Sequence, residues 1–342
     1  MKTVVVREHG GVDRLLMEDH PVPLPGPGEL RIAVRGVGLN HLDVWVRRGV
    51  KGHVFPLPII PGCDISGTVD LAGAGTSRFR AGDEVVVAPG FSCGHCHQCR
   101  SGRDALCRQY GIRGESCDGG CAEYVVIPET SLFPKPATLS FEEAAAMPLV
   151  FLTAWHMLVE RARLKAGEKV LIHAAASGVS SAAIQIARLL GARVLATAGS
   201  AEKCRLATEL GAEEAVNYRE ADFRSEVKRW TGKAGVEVAL DHIGSETFGP
   251  TLACLAKGGR YVTCGSTSGF EMKTDFRIVF FKSLSILGST MGSDHELETV
   301  LGLAAEGRLR PVLEQALPLE KVGEAHQHLE SRKAMGKTVL VP

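Results

Sequence analysis

The sequence carries no excess of charge of either sign and no long apolar run. Its 342 residues contain 39 Lys and Arg and 39 Asp and Glu, a formal net charge of +0. A balanced charge provides no overall field to hold nucleic acid or an anionic membrane, so neither is expected as a partner. The most apolar segment, residues 144–159, contains Pro148, Thr153 and His156 and is shorter than the roughly 20 residues that a membrane span needs.

A secretory signal and a disulfide framework are also missing. The N-terminal MKTVVVREHGG leads directly into a strand-like run, without an apolar h-region or a small-residue cleavage site. Disulfides are rare in the cytosol, so the ten cysteines are expected to be thiols and metal ligands. We therefore expect a cytoplasmic protein of two domains that acts on a small-molecule substrate.

Two patterns of secondary structure divide the chain. The first part consists of short β-rich runs separated by glycine and proline. A helical run begins near residue 141, with Ser140 as its N-cap. Fully apolar strands then alternate with amphipathic helices, which predicts a parallel sheet covered on both faces. Because the final KTVLVP is expected to return to the first part, the predicted fold is α/β with the parallel-sheet domain inserted in a β domain.

A turn between a strand and a helix predicts a dinucleotide site. The segment KVLIHAAASGVSSAAIQIA places small residues after an apolar strand, with a helix opening near Val179. Small residues let the backbone approach a pyrophosphate, and the free N–H groups of a helix N-terminus attract its charge. The residues expected to contact phosphate are Ser177, Gly178, Val179 and Ser180. The alternative is an ordinary βαβ unit, since the glycines are sparse.

The end of the next strand indicates which cofactor binds. An NAD site normally has an acid there, about 20 residues after the glycine turn. This chain has Ala-Gly-Ser, ending at Ser200, with Lys203 and Arg205 just beyond and Tyr218 closing the following strand. A hydroxyl and cations suit a 2′-phosphate, which favours NADPH. In the alternative interpretation, Lys203 and Arg205 only form a solvated helix face.

Four cysteines between residues 90 and 110 predict a metal site. Cys93, Cys96, Cys99 and Cys107 are separated by two, two and seven residues. Four thiolates around a tetrahedral zinc ion leave no open position for water or substrate, so one structural zinc ion is expected. The alternatives are reduced or paired thiols and an iron–sulfur cluster.

The cysteine segment and four other motifs point to one family. The others are GPGELRIAVRGVGLN, PGCDISGTV, DGGCAEYVVIP and AAASGVSSAAIQIA. Through them the chain resembles, from end to end, the medium-chain dehydrogenase/reductase superfamily of zinc alcohol dehydrogenases and quinone or enone reductases. The resemblance implies a GroES-like β domain of residues 1–148 and 291–342 and a Rossmann domain of residues 149–290. It also implies homodimers or homotetramers, with residues 276–290 supplying an apolar sheet edge.

The resemblance further implies where a second, catalytic zinc ion would bind. Alcohol dehydrogenases of the family use a cysteine, a histidine and another cysteine, and this chain has Asn40, Cys63 and Phe151 near those places. The stretch GLNHLDVWVRRG is instead similar to the zinc-independent reductases. The alternative is an unusual zinc site made by Cys63, His41 and Asp64.

Candidate groups for the chemistry follow from this interpretation. Asn40 is expected to donate a hydrogen bond to the substrate or the nicotinamide, and His41 and Tyr110 are candidates for proton supply. Asp43 is a further site residue, although an ion pair between Asp43 and Arg47 that holds the loop is the more favoured role.

The nicotinamide is expected along the tips of the later strands. The residues placed there are His242, Gly265 and Ser266, with Thr153 on the preceding helix as another contact. We therefore expect an NADPH-dependent reductase of quinones or activated double bonds. The alternatives are a zinc alcohol dehydrogenase with atypical ligands and a protein that binds NADPH without catalysis.

Overall fold

The computed structural model describes all 342 residues, which form two compact units. Unit 1 comprises Met1–Leu152 and Gly292–Pro342, and unit 2 comprises Thr153–Met291. Unit 2 is thus inserted between two segments of unit 1. None of the helices combines the length and the apolar composition needed to cross a membrane.

Seventeen strands and eleven α-helices make up the two units. The strands are β1 (Lys2–Val6), β2 (Leu15–Asp19), β3 (Glu29–Gly38), β4 (Asp64–Ala72), β5 (Glu84–Val87), β6 (Gly90–Phe91), β7 (Gly111–Ile112), β8 (Tyr124–Pro128), β9 (Leu132–Pro134), β10 (Lys169–Ile172), β11 (Arg193–Ala198), β12 (Glu214–Asn217), β13 (Val236–Asp241), β14 (Leu255–Thr263), β15 (Ser285–Gly288), β16 (Leu313–Pro318) and β17 (Lys337–Val341). The helices are α1 (His41–Arg48), α2 (His97–Arg100), α3 (Phe141–Ala145), α4 (Pro148–Trp155), α5 (Gly178–Leu189), α6 (Ala201–Glu209), α7 (Phe223–Trp230), α8 (Phe248–Cys254), α9 (Arg277–Phe281), α10 (Asp294–Ala305) and α11 (Val322–Glu330).

Unit 1 is built on a largely antiparallel sheet of seven strands. Its order is β16-β17-β3-β4-β5-β9, and β8 also pairs with β3. Apolar side chains alternate along β3, so Leu30, Ile32 and Val34 enter the core. The C-terminal strand β17 pairs with β3, as expected from the sequence, and it is antiparallel to it. This pairing brings Lys337, the first residue of β17, to the end of β3, where the candidate site begins.

Unit 2 contains a six-stranded parallel sheet. The strand order β12-β11-β10-β13-β14-β15 is the order 3-2-1-4-5-6 when β10 is counted as the first strand. Val170, Leu171 and Ile172 of β10 are completely buried, as fully apolar central strands predict. The order reverses between β10 and β13, so the carboxyl ends of these two strands meet at the switch point where such sheets bind ligands.

The helical run predicted from residue 141 is helical but broken. Ser140 caps α3 as expected, since its Oγ accepts a hydrogen bond from Glu143 N at 3.2 Å. Pro148 then begins a new helix, because proline has no N–H to continue the previous one and is suited to the first helical position. After α4 the chain continues as a π-helix, His156–Arg161.

Candidate functional site

The four cysteines of residues 90–110 converge on one point. Their sulfur atoms all lie within 4.8 Å of one another. Cys93 Sγ is 3.8 Å from Cys99 Sγ and 3.6 Å from Cys107 Sγ, and Cys96 Sγ is 3.5 Å from Cys99 Sγ. Zinc–sulfur bonds of about 2.3 Å in tetrahedral geometry separate the sulfurs by about 3.8 Å. The four thiols therefore fit a structural zinc ion almost without rearrangement.

We expect Cys107→Ser to lose this zinc ion. A serine hydroxyl is a poor replacement for a thiolate ligand, so zinc content should fall from about one per chain to near zero and thermal stability should fall with it. Elemental analysis of the purified protein and a thermal melt measure the two effects. Cys117→Ser is the matched control, because Cys117 lies outside the cluster and its Sγ donates a hydrogen bond to the Asp118 carbonyl. Unchanged zinc in the Cys107 variant would contradict this assignment.

A buried network joins Asn40, Asp64 and Lys337. Asn40 Nδ2 donates to the Gly38 carbonyl at 3.1 Å and to Asp64 Oδ2 at 2.9 Å. Lys337 Nζ donates to Asn40 Oδ1, to the Leu39 carbonyl at 2.8 Å and to Asp64 Oδ2 at 3.2 Å. Both amide hydrogens and the amide oxygen of Asn40 are thus used within the protein. This geometry does not support the predicted role of Asn40 as a donor to substrate.

The same place does not fit a catalytic zinc ion. Burial and nearby carboxylates raise the pKa of the Cys63 thiol well above its ordinary value, so zinc binding there would have to offset a large cost of deprotonation. The Lys337 ammonium already supplies a positive charge to Asp64, and a second cation beside it would be repelled. Phe151 is buried and offers no ligand atom. The alternative group of Cys63, His41 and Asp64 does not converge, because only the four-cysteine cluster brings three or more ligand atoms together.

Asp43 closes the N-terminus of α1 and does not pair with Arg47. Its Oδ2 accepts from Asn40 N at 2.7 Å and its Oδ1 from Gly62 N at 2.9 Å, while burial raises its pKa to about 6. Arg47 Nη2 instead donates to both carboxylate oxygens of Glu330, at 2.8 and 2.9 Å. The predicted Asp43–Arg47 ion pair is therefore wrong. Arg47 lies one turn beyond Asp43 and ties α1 to α11.

Tyr110 presents a buried hydroxyl that has no hydrogen-bond partner in the protein. The hydroxyl lies so close to Gly90 that no Cβ could be accommodated there. Burial is the main cause of a raised pKa for this phenol. The acidic groups around it, including Asp294, raise the pKa further. Tyr110 is therefore a neutral O–H donor, and leaving such a donor unpaired costs about 1–3 kcal/mol. His41, the other predicted proton source, begins α1 and packs edge-on against Trp45 with ring centroids 5.3 Å apart.

The predicted phosphate turn lies between β10 and α5. Ser177 is the N-cap of α5, and its Oγ accepts from Ser180 N at 3.2 Å. The helix begins at Gly178, one residue before the predicted start at Val179. Ser180 Oγ donates to the His173 carbonyl at 2.5 Å, which fixes the turn against the end of β10. These four residues therefore have the strand–turn–helix setting that dinucleotide binding requires.

The tips of β13 and β14 lie at the same edge of the sheet. His242 follows β13, and its Nε2 is 3.0 Å from Ser177 Oγ and 3.1 Å from Ser180 Oγ. Gly265 and Ser266 follow β14, where the Gly265 carbonyl accepts from the Thr263 hydroxyl at 2.9 Å and Ser266 Oγ donates to the Gly269 carbonyl. The fold thus brings His242 onto the phosphate turn. Backbone groups of 265 and 266 lie along the neighbouring strand tips.

The tip of β11 carries the residues predicted to select the cofactor. Ser200 caps α6 by accepting from Lys203 N at 3.2 Å. The Tyr218 hydroxyl covers Gly199, where an added Cβ would lie 2.6 Å from it and 3.6 Å from Arg219 Nε. Hydroxyl and cationic side chains therefore surround this strand tip.

Thr153 and three cysteines outside the metal cluster differ in how deeply they are buried. Thr153 is buried in unit 2, where its hydroxyl lies 3.8 Å from Met291 Sδ. Of three cysteines outside the metal cluster, Cys254 is buried. Cys204 and Cys264 are only half-buried, because they lie on α6 and just beyond β14 rather than within the sheet.

Two family models and a curated relative match the chain. The alcohol dehydrogenase GroES-like domain matches residues 26–137, and the zinc-binding dehydrogenase domain matches residues 178–306. Quinone oxidoreductase of Homo sapiens is 32% identical over 349 residues, which cover 100% of this chain and 98% of the relative. The chain belongs to the medium-chain dehydrogenase/reductase superfamily. It is an oxidoreductase with a GroES-like unit and a Rossmann-type parallel sheet, so the predicted family and fold class are confirmed.

Solved structures of the superfamily share the whole fold. An NAD-dependent alcohol dehydrogenase is 51% identical with a TM-score of 0.97, and the match covers 100% of both chains. The cobalt- and zinc-bound thermostable alcohol dehydrogenase from Pyrobaculum aerophilum is 34% identical with a TM-score of 0.90, over 100% of this chain and 99% of that one. Superfamily members similar to this chain thus include quinone oxidoreductases and alcohol dehydrogenases, so its own site residues must distinguish the two activities.

Sequence reasoning missed Lys337. The residue is separated from Asn40 by nearly the whole chain, and no motif connects them. The available signal was a lysine at the start of the mostly apolar terminal strand KTVLV. A lysine is buried in such a strand only if its ammonium finds an acidic or carbonyl partner.

Proposed function

We propose that this oxidoreductase reduces quinones or α,β-unsaturated carbonyl compounds by hydride transfer from NADPH, without a catalytic zinc ion. The observation that supports this most directly is the Lys337 ammonium, which binds Asn40 and Asp64 where the superfamily resemblance puts a catalytic metal. Oxidising an unactivated alcohol is difficult without a Lewis acid at its oxygen. An activated acceptor takes hydride at carbon and needs only hydrogen-bond donors for the charge that develops on oxygen. The likeness to quinone oxidoreductase agrees with this choice.

We assign the donor to the acceptor oxygen to the unpaired hydroxyl of Tyr110, which is buried in the free protein and must become accessible when the acceptor binds. NADPH, when bound, supplies the hydride. The raised pKa of Tyr110 keeps its proton on the phenol, so it stabilises the developing oxyanion as a hydrogen-bond donor rather than by transferring its proton. His41 at the start of α1 is the candidate that returns a proton from solvent.

The cofactor part of the proposal rests on the tip of β11. Ser200 and Lys203, with Tyr218 and Arg219 at the adjoining strand, provide hydroxyl and cationic groups for a 2′-phosphate. The residues at 198–200 include no carboxylate to bind the 2′-hydroxyl of NADH. The fit to NADPH therefore comes from both the groups present and the missing acid.

We expect Lys203→Ala to weaken NADPH binding about 10- to 100-fold and NADH binding by less than about twofold. A charge-assisted hydrogen bond to the 2′-phosphate accounts for the difference, since it is worth about 1.5–3 kcal/mol. Fluorescence titration with each dinucleotide measures both dissociation constants. Lys257→Ala, at an exposed position of β14, is the control. Equal losses for the two dinucleotides would contradict the assignment of Lys203.

An NAD-dependent alcohol dehydrogenase is the second candidate. It is favoured by the solved structure of that description, which is 51% identical to this chain. The two candidates are separated by an oxidation screen of NADPH and NADH against quinones, enones and enoyl thioesters, with aldehydes as the control class. We expect quinones or enones with NADPH to be turned over fastest. Preference for aldehydes would favour the second candidate, and binding without any turnover would favour a non-catalytic protein.

We further propose that the protein forms a homodimer or homotetramer through β15, the edge strand of the parallel sheet. Apolar side chains are unusually exposed around it: Phe276, Phe280, Phe281 and Ile286 are 65%, 58%, 71% and 44% exposed. Ile286→Lys should therefore give a monomer in size-exclusion chromatography with light scattering, because a charge opposes edge pairing. Leu24→Lys, at an exposed site of unit 1, should leave the assembly unchanged. A monomeric parent protein would contradict the proposal.

A further inference from the structure

One histidine lies directly against the phosphate turn. β13 pairs in parallel with β10, so His242 at the end of β13 reaches the turn that follows β10. Its Nε2 is within hydrogen-bond distance of both Ser177 Oγ, at 3.0 Å, and Ser180 Oγ, at 3.1 Å. Histidine is the side chain whose charge ordinarily changes between about pH 5 and 8. The proposed reduction assigns no proton transfer to His242.

The hydrogens of this cluster can be assigned from its donors and acceptors. Ser180 Oγ uses its single hydrogen on the His173 carbonyl, so towards His242 it can only accept. Nε2 of His242 therefore carries a hydrogen. Ser177 Oγ accepts from the backbone N–H of Ser180 and faces the same Nε2–H. The hydroxyl hydrogen of Ser177 is thus left for an anion at the N-terminus of α5.

The charged and titratable surroundings of His242 are few. Asp241 is the preceding residue, and its carboxylate accepts hydrogen bonds from three donors: Ile243 N, Thr247 Oγ1 and Tyr261 Oη. His173 at the end of β10 is completely buried and bonded through both ring nitrogens to threonine hydroxyls. The groups from α5 and from the loop after β14 are neutral hydroxyls and backbone.

These surroundings favour the neutral form of the His242 ring in the free protein. Burial, the largest effect, lowers the pKa of His242, while Asp241 and the contact of His242 with its own backbone raise it. An anion bound over Ser177 would add a further favourable interaction with the charged ring.

We propose that His242 takes up a proton when the pyrophosphate of the dinucleotide binds at Ser177, so that cofactor affinity rises as the pH falls. The inference rests on the dinucleotide site of the proposed function. Because the pKa is higher in the complex than in the free protein, the extra affinity is fully present below the free value. It is lost as the pH rises through the value in the complex. A shift of one unit corresponds to a tenfold change in affinity.

Calorimetric titration of the full-length protein with NADH tests this inference. NADH is the probe because it lacks the 2′-phosphate, whose own ionisation near pH 6 would add to the proton balance. Titrations in two buffers of different ionisation heat give the number of protons taken up. We expect net uptake on the acid side of neutrality and an affinity that falls by up to about tenfold between about pH 5 and about pH 7.5, because the pKa of free His242 lies below its ordinary value of 6.5.

His242→Gln separates the titrating ring from its hydrogen bond. The glutamine amide can still donate to the serines but cannot become charged, so its affinity should be independent of pH and close to that of the parent at high pH. His295→Gln, an exposed histidine on α10, should keep the parent slope. Dinucleotide binding by the parent without proton uptake, or with the same slope in His242→Gln, would overturn the inference alone. No binding of NADH or NADPH at any pH would overturn the dinucleotide site itself, and the inference with it.

Discussion

Replacing Lys337 with methionine is expected to lower the free energy of unfolding by about 3–5 kcal/mol, because the change leaves a buried carboxylate without its cation. Lys337 is 4% exposed and Asp64 is completely buried. Asp64 would keep its hydrogen bonds from Asn40 Nδ2 and from Leu149 N, at 2.7 Å, but no positive charge would remain beside it. Urea unfolding followed by circular dichroism measures the loss.

A second substitution shows whether the buried charge is the cause. Asp64→Asn removes the carboxylate charge, so the double variant with Lys337→Met should recover most of the lost stability. Lys333→Met, at an exposed position just before β17, is the matched control and should change the stability by less than about 0.5 kcal/mol. A Lys337→Met variant as stable as the parent would show that the ammonium is not what neutralises Asp64.

Tyr110→Phe is expected to lower kcat for an enone or quinone by about 100- to 1000-fold, the usual cost of losing one donor to a developing oxyanion. KM should change little, because the hydrogen bond strengthens chiefly in the transition state. The protein itself should be as stable as the parent or slightly more stable, because the lost hydroxyl has no partner within the chain. Steady-state kinetics and a thermal melt give the two readouts.

The combination of lost activity and kept stability is what distinguishes a donor to substrate from a packing residue. Tyr124→Phe is the control, since Tyr124 lies in β8 of the same unit and its ring stacks against the guanidinium of Arg31. Tyr124→Phe should keep the parent kcat. A Tyr110→Phe enzyme with kcat within about twofold of the parent would remove Tyr110 from the proposed mechanism.

Most of the fold could be predicted because its signals are local. Apolar strands alternating with helices predict the parallel sheet, and the run KTVLV predicts a strand, which the structure pairs with β3 of unit 1. The spacing of four cysteines likewise predicts a cluster that the structure brings together. Pro148 is a local signal as well, because a proline within a helical run ends one helix and begins the next.

The contacts of the candidate site could not be predicted in the same way, because they depend on strand register and helix packing. Lys337 meets Asn40 only because β17 pairs with β3, and sequence reasoning treated Asn40 as a free donor. Arg47 finds Glu330 rather than Asp43 because α11 packs beside α1. Motifs identify Asn40 and Arg47, whereas their partners Lys337 and Glu330 lie near the far end of the chain.

The account depends on reduction proceeding without a catalytic metal ion, and the position and number of bound zinc ions test this most directly. Anomalous scattering at the zinc edge should be measured on crystals of protein that has just been assayed as an active reductase. We predict a single zinc peak per chain, at Cys93, Cys96, Cys99 and Cys107, in fully active protein. A second peak beside Cys63 and Asp64, with activity that disappears when that ion is removed, would contradict the account.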